Sequence, residues 1–181
     1  MLMRGWMARG SAWILAGVLL LGAPAAVGQQ KKDTSVIPLT DDQAVDVLLS
    51  EMLAAWQIGD AQLLHKYYAD DALVVSGLYE PPVIGWARYE AAYRQQRTRI
   101  QSVRMDRRNT YLFVRGNVAW ASYQWEFSAV ADGRPAAAQG HTTIILEKRG
   151  GRWLIVHNHT SVVGEMKIAE PAPPAPPKPG T

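Results

Sequence analysis

Asn117 to Ala131 reads NVAWASYQWEFSAVA, and Ala138 to Val163 reads AQGHTTIILEKRGGRWLIVHNHTSVV. Aromatic and β-branched residues recur here with a period of two, the pattern of strands. Arg149-Gly150-Gly151 supplies a tight turn between the last two. The strand after Asn117 has two faces, Ala119, Ala121, Tyr123, Trp125 and Phe127 on one and Trp120, Ser122, Gln124, Glu126 and Ser128 on the other. The last strand likewise separates Trp153, Ile155, His157, His159 and Ser161 from Leu154, Val156, Asn158, Thr160 and Val162. Neither face of either strand is plainly the solvent face. A sheet apolar on both sides needs two covers. Helices supply one, and a second copy of the chain is the simplest other, with Tyr123, Trp125 and Trp153 as the expected anchors of a homodimer interface.

Upstream, the period changes to that of helices. Thr40-Asp41-Asp42-Gln43 is a capping box with two acids at the positive helix end. Val45, Leu48, Leu49, Met52, Leu53 and Trp56 then form one apolar face, and Gly59 closes the helix. Asp60 caps a second helix over 61–68. Ala72 to Val75 reads as a short strand, and Leu78 to Gly85, with Pro81-Pro82, as a loop. Trp86, Tyr89 and Tyr93 share a face of a third helix over 86–96. A long strand from Gln101 to Arg115 follows, with an expected irregularity near Asp106 to Asn109.

Residues 1–28 have the layout of a secretory signal peptide. Arg4 and Arg9 precede the apolar run Ala12 to Gly22, and Ala26-Val27-Gly28 fits a small-residue cleavage site. The run is short for a membrane span, which needs about 20 apolar residues. A periplasmic or secreted protein is expected, with no membrane span after cleavage. The chain has no cysteine, which excludes disulfides, thiolate chemistry and cysteine-ligated metals. Residues 29–39 read as a linker, 40–163 as one domain, and 164–181 as a disordered tail, since the stretch from Ala169 carries six prolines.

The net charge of +3 is small, but eight arginines lie between Arg88 and Arg115 against Glu90 and Asp106. This stripe is read as a solvated face. Nucleic acid is not an expected partner, because export argues against it.

Several short segments carry a family resemblance. They are Ala55-Trp56-Gln57-Ile58-Gly59-Asp60, Tyr68-Ala69-Asp70-Asp71-Ala72, Gly85, and Gly151-Arg152-Trp153-Leu154-Ile155-Val156-His157-Asn158-His159. In order and spacing they resemble SnoaL-like members of the nuclear transport factor 2 superfamily, over about residues 40–163. The last segment also resembles the end of the association domain of calcium/calmodulin-dependent protein kinase. The resemblance implies an α+β cone, a strongly curved antiparallel sheet wrapped around a long N-terminal helix with two shorter helices. It also implies dimerisation through the outer sheet face.

The family includes the ketosteroid isomerases, which use an aspartate base, a tyrosine donor and a protonated aspartate. Matched without gaps, Ser76 stands at the base position, Met52 at the tyrosine, and Thr143 or Ile144 at the second aspartate. Proton transfer next to a carbonyl needs a tuned base and an oxyanion donor, so that chemistry is not expected. The same matching places Trp120, Gln124, Glu126, Leu154, Val156, Asn158 and Thr160 on the concave face, with Trp56 and Tyr68 reaching it from the helices. Such a cavity suits a small apolar or amphipathic molecule. Glu126 is the weak candidate for an acid or base. His157 and His159, with His141 on the neighbouring strand, could bind zinc in principle. With no carboxylate or thiolate on that face, hydrogen bonding at the dimer interface is expected, and no metal or cofactor. An enzyme using Glu126 or a histidine, and a structural association module, are the alternative functions.

Overall fold

A computed structural model describes residues 38–164 and 167–169. The predicted signal segment, most of the linker and the proline-rich end lie outside these residues. The elements are α1 (Asp41–Ile58), α2 (Ala61–His65), β1 (Tyr68–Ser76), β2 (Tyr79–Ile84), α3 (Trp86–Arg97), β3 (Ile100–Arg115), β4 (Val118–Ala131), β5 (Arg134–Arg149), β6 (Arg152–Val162) and β7 (Lys167–Ile168). Among them no helix is long and apolar enough to cross a membrane.

The capping box forms as the sequence dictates. Gln43 N donates to Thr40 Oγ1 at 3.3 Å, and Thr40 N donates to Gln43 Oε1 at 3.0 Å. Asp41, in the first turn, accepts from Lys148 Nζ at 2.5 Å and from Trp153 Nε1 at 3.0 Å. The Lys148 and Trp153 bonds hold its carboxyl below the usual carboxylate range. They pin the start of α1 to the hairpin of β5 and β6, whose turn has Gly150 and Gly151 at φ 57° and 80°. Two successive positive φ values match the right-handed twist of a hairpin, and glycine reaches them without steric cost.

The sheet runs in the order β2-β1-β6-β5-β4-β3, with β7 beside β5. It is curved, unclosed and mostly antiparallel. β1 and β6 pair in parallel, Leu73 against His157 and Ser76 against Thr160. Two expectations change here. Tyr79–Ile84 is an edge strand rather than a loop, where Pro81 and Pro82 cost no ladder bond that a central strand would need. Lys167 and Ile168, assigned to the tail, pair with Ala137 and Ala136. The irregularity expected in β3 is present: the register with β4 shifts between Arg108 and Tyr111, and Asn109 has φ 47°.

The core lies between the helices and one sheet face. Val45, Leu49 and Met52 of α1, Leu64 of α2, and Trp86, Tyr89 and Tyr93 of α3 pack there against Ala119, Ala121, Ile144, Leu146 and Ile155. Along β4 the small Ala119 and Ala121 are followed on the same face by the larger Tyr123, Trp125 and Phe127.

Five of the eight arginines of the stripe are paired with carboxylates. Arg94, Arg99, Arg104 and Arg108 bond Glu90, Asp132, Asp106 and Glu126 at 2.6–2.8 Å. Arg107 departs from the solvated-face reading. It turns inward, donates to Asp46 Oδ1 at 2.8 Å and Ser50 Oγ at 3.0 Å on α1, and covers the Tyr123 ring at 5.9 Å.

Candidate functional site

The faces of β4 are the reverse of those expected. Ala119, Ala121, Tyr123 and Trp125 are buried against the helices, while Trp120, Gln124 and Glu126 face outward. Ala119 and Ala121 are fully covered in the core, and a tryptophan could not fit the space that an alanine fills there. Trp120 instead stacks on Phe113 with centroids 5.4 Å apart. Glu126 is therefore not an inward acid. It pairs with Arg108 on the outer face at 2.8 Å.

A bulge sorts the residues of β6. Ile145 pairs with His157 but Leu146 with Ile155, which leaves Val156 as an extra residue. An extra residue reverses the alternation beyond it. Trp153 and Ile155 are buried in the core before the bulge, and Asn158 is buried after it. His157 and His159 face outward, separated from the face of Trp153. The expected interface anchors Tyr123, Trp125 and Trp153 are thus core residues, and of that set only the two histidines stand on the outer face.

Inside, the polar side chains form a directed chain. Thr160 Oγ1 donates to Asn158 Oδ1 at 3.1 Å, and Asn158 Nδ2 donates to Tyr68 Oη at 2.7 Å. Thr160 has one proton to give, so Thr142 is the donor in their 2.8 Å contact. Tyr68 Oη in turn points at Met52 Sδ, 4.0 Å away. Burial pushes the Tyr68 hydroxyl up to about 12, although the bond from Asn158 opposes it. Burial likewise raises Tyr123 and Tyr89. The chain holds hydroxyls, an amide and a thioether, and no carboxylate or imidazole. It can orient a hydrogen-bonding group, but no member has the chemistry of a base near neutral pH.

Asn158 is only 8 % exposed. Asn158→Leu would leave the Tyr68 hydroxyl without its donor and strand the Thr160 proton. A buried polar group without its partner costs about 1–3 kcal/mol, and chemical denaturation should show a loss of that size. An unchanged midpoint would mean that the chain contributes nothing to stability.

Trp125 is 5 % exposed, and its indole lies across Gly140 on β5. Its Nε1 has no acceptor; it and Arg97 Nη1 are the two buried side-chain polar atoms without a partner among the described residues. Burial is less complete next to it on the inward face. Met105, Phe127 and Ala138 follow one another in register and are half-buried. Trp56, also half-buried, meets the Phe127 ring edge-on at 6.2 Å. Trp56, Tyr68, Asn158 and Thr160 thus lie inside as expected, while Trp120, Gln124 and Glu126 do not join them. Thr142 was not singled out from the sequence, and Tyr89 was named only for the shared face of the third helix. The period-two spacing from Ile144 could have found Thr142.

The outer face carries its own features. Phe113, Trp120, Ile145 and His157 sit side by side across β3, β4, β5 and β6. Phe113 is 44 % exposed, and Trp120 and Ile145 are each 38 % exposed. Next to this row is a depression of about 240 Å³, lined among others by Arg108, Asn109, Gln124, Glu126 and His141. A second depression, of about 290 Å³, lies elsewhere beside His65, Lys66, Asp70 and Arg152. Among the described residues no three histidine, aspartate or glutamate side chains converge as metal ligands.

The sequence profile of the SnoaL-like domain matches residues 45–165. Several solved structures share the fold. A nuclear transport factor 2-like protein of Salmonella enterica is 19% identical with a TM-score of 0.63, over 68% of this chain and 92% of that one. A ketosteroid isomerase-like protein of Erwinia carotovora is 15% identical with a TM-score of 0.60, over 67% and 95%. A nuclear transport factor 2-like protein of Cytophaga hutchinsonii is 15% identical with a TM-score of 0.60, over 69% and 100%. No curated protein matches. The profile match covers most of the described domain and the helices lead into the same kind of curved sheet as in the nuclear transport factor 2-like structures: the chain belongs to the SnoaL-like domain family and has the nuclear transport factor 2-like fold.

Proposed function

We propose that the chain is an exported homodimeric domain that binds a small apolar or amphipathic molecule at the wide end of its cone. The observation that carries the binding reading is Trp125 Nε1, a buried donor with no acceptor. Such a group costs about 1–3 kcal/mol while unmet, and a ligand acceptor beside it recovers that cost. The surroundings are apolar (Trp56, Met105, Phe127) or small (Ala138, Gly140). The ligand class that fits is an apolar body with one acceptor, such as a ketone. The narrow half of the interior is closed, since Leu49, Met52, Tyr93 and Ile144 touch almost no space that water could enter. The neutral character of the Thr142-to-Met52 chain makes binding, and not proton transfer, the favoured role.

The test compares a long-chain ketone with the hydrocarbon of the same length, in the native protein and in Trp125→Phe. The ketone should bind roughly ten- to a hundredfold more weakly to the variant, the size of one lost buried hydrogen bond, and the hydrocarbon about equally to both. Equal losses for the two probes would sink the assignment.

The association module is the second reading. The row of Phe113, Trp120 and Ile145 favours it, because contiguous exposed apolar surface marks an interaction site. The two readings are compatible, since one uses the inner face and the other the outer. The layout of residues 1–28 supports export to the periplasm or beyond.

A further inference from the structure

His157 and His159 have no part in the functions above. The bulge at Val156 turns both outward while it sends Asn158 into the core. Their rings stand two residues apart on one strand face, with centroids 6.4 Å apart and planes at 77°. Opposite them on β5 are Thr143 and Ile145, which bear no charge.

We propose that His157 and His159 form half of a divalent transition-metal site, completed by the same two residues of a second copy across the dimer's two-fold axis. This rests on the dimer reading above. Two imidazoles two residues apart on a strand point the same way and begin the tetrahedral nitrogen set that zinc accepts. One chain cannot finish the set, since no third ligand converges among the described residues. A two-fold axis supplies the other half, because in a symmetric interface a patch meets its own copy around the axis. These histidines stand where such an axis would cross the sheet. β6 and β5 are the two central strands of the six-strand path, and His157 is the middle residue of β6. Imidazole ligands favour zinc, copper or nickel over magnesium or calcium.

The test is a calorimetric titration of the purified, untagged protein with ZnCl₂, paired with sedimentation velocity in EDTA and in zinc. The expected result is one Zn²⁺ per two chains and binding weaker by roughly a hundredfold or more in His159→Gln, which removes two of the four ligands because both copies carry the change. The EDTA-treated protein and the variant should both remain dimers, because the apolar row holds them. A dimer that persists in EDTA yet binds no zinc overturns the metal site and leaves the dimer standing. Monomers under both conditions overturn the dimer and the site with it. One Zn²⁺ per chain, or binding that survives both His157→Gln and His159→Gln, overturns the shared arrangement.

Discussion

Trp120→Glu should convert the proposed dimer into monomers that remain folded. Trp120 lies in the middle of the outer row and stacks on Phe113. Interfaces of standard size bury about 800 Å² per partner and owe much of their affinity to a few aromatic anchors. Losing such an anchor costs about 2–4 kcal/mol, and the symmetric interface loses it twice while gaining two buried charges. Dimerisation should weaken at least a thousandfold, roughly the equivalent of 4 kcal/mol. The fold should survive because the side chain is already 38 % exposed in the single chain. Sedimentation velocity reads the first effect and circular dichroism the second. A variant that stays dimeric would show that this face is not the contact.

Gly140→Ala should unfold or severely destabilise the domain. A Cβ at this position would lie 2.0 Å from the Ser161 carbonyl oxygen and 2.3 Å from Trp125 Cζ2. The first neighbour is backbone of the paired strand and cannot swing aside. Overpacking of this kind costs typically 1–3 kcal/mol and occasionally more, and a clash with backbone belongs at the upper end. Gly77→Ala is the control. Nothing lies within 4 Å of a Cβ there, so its effect should stay within about 0.5 kcal/mol. Equal melting temperatures for the two variants would contradict the packing of Trp125 across β5.

Much of the fold was legible because its signals are local. The capping box of α1, the helical face from Val45 to Trp56 and the glycine turn at Gly150-Gly151 each depend on a few neighbouring residues. The faces of the strands were not legible, because tertiary packing decides them. The family resemblance puts Trp120 on the concave face, yet Ala119 and Ala121 take the fully covered inside positions of β4. In β6 a single extra residue, Val156, reverses the alternation partway along, and no strict period of two can place both Trp153 and Asn158 inside. Register shifts of this kind leave little trace in a lone sequence. The candidate site suffered for the same reason. Asn158 and Thr160 were placed inside by the resemblance, but Trp125, which carries the one buried indole donor without a partner among the described residues, was assigned to the opposite face.

Native mass spectrometry of the protein purified from its own host tests the central claim most directly, because one spectrum reads the N-terminus, the stoichiometry and any retained molecule. The account predicts a dimer of chains that begin at or near Gln29, with a small ligand that has an apolar body and one hydrogen-bond acceptor and whose occupancy falls in Trp125→Phe. A monomer that begins at Met1 and carries no ligand would contradict it.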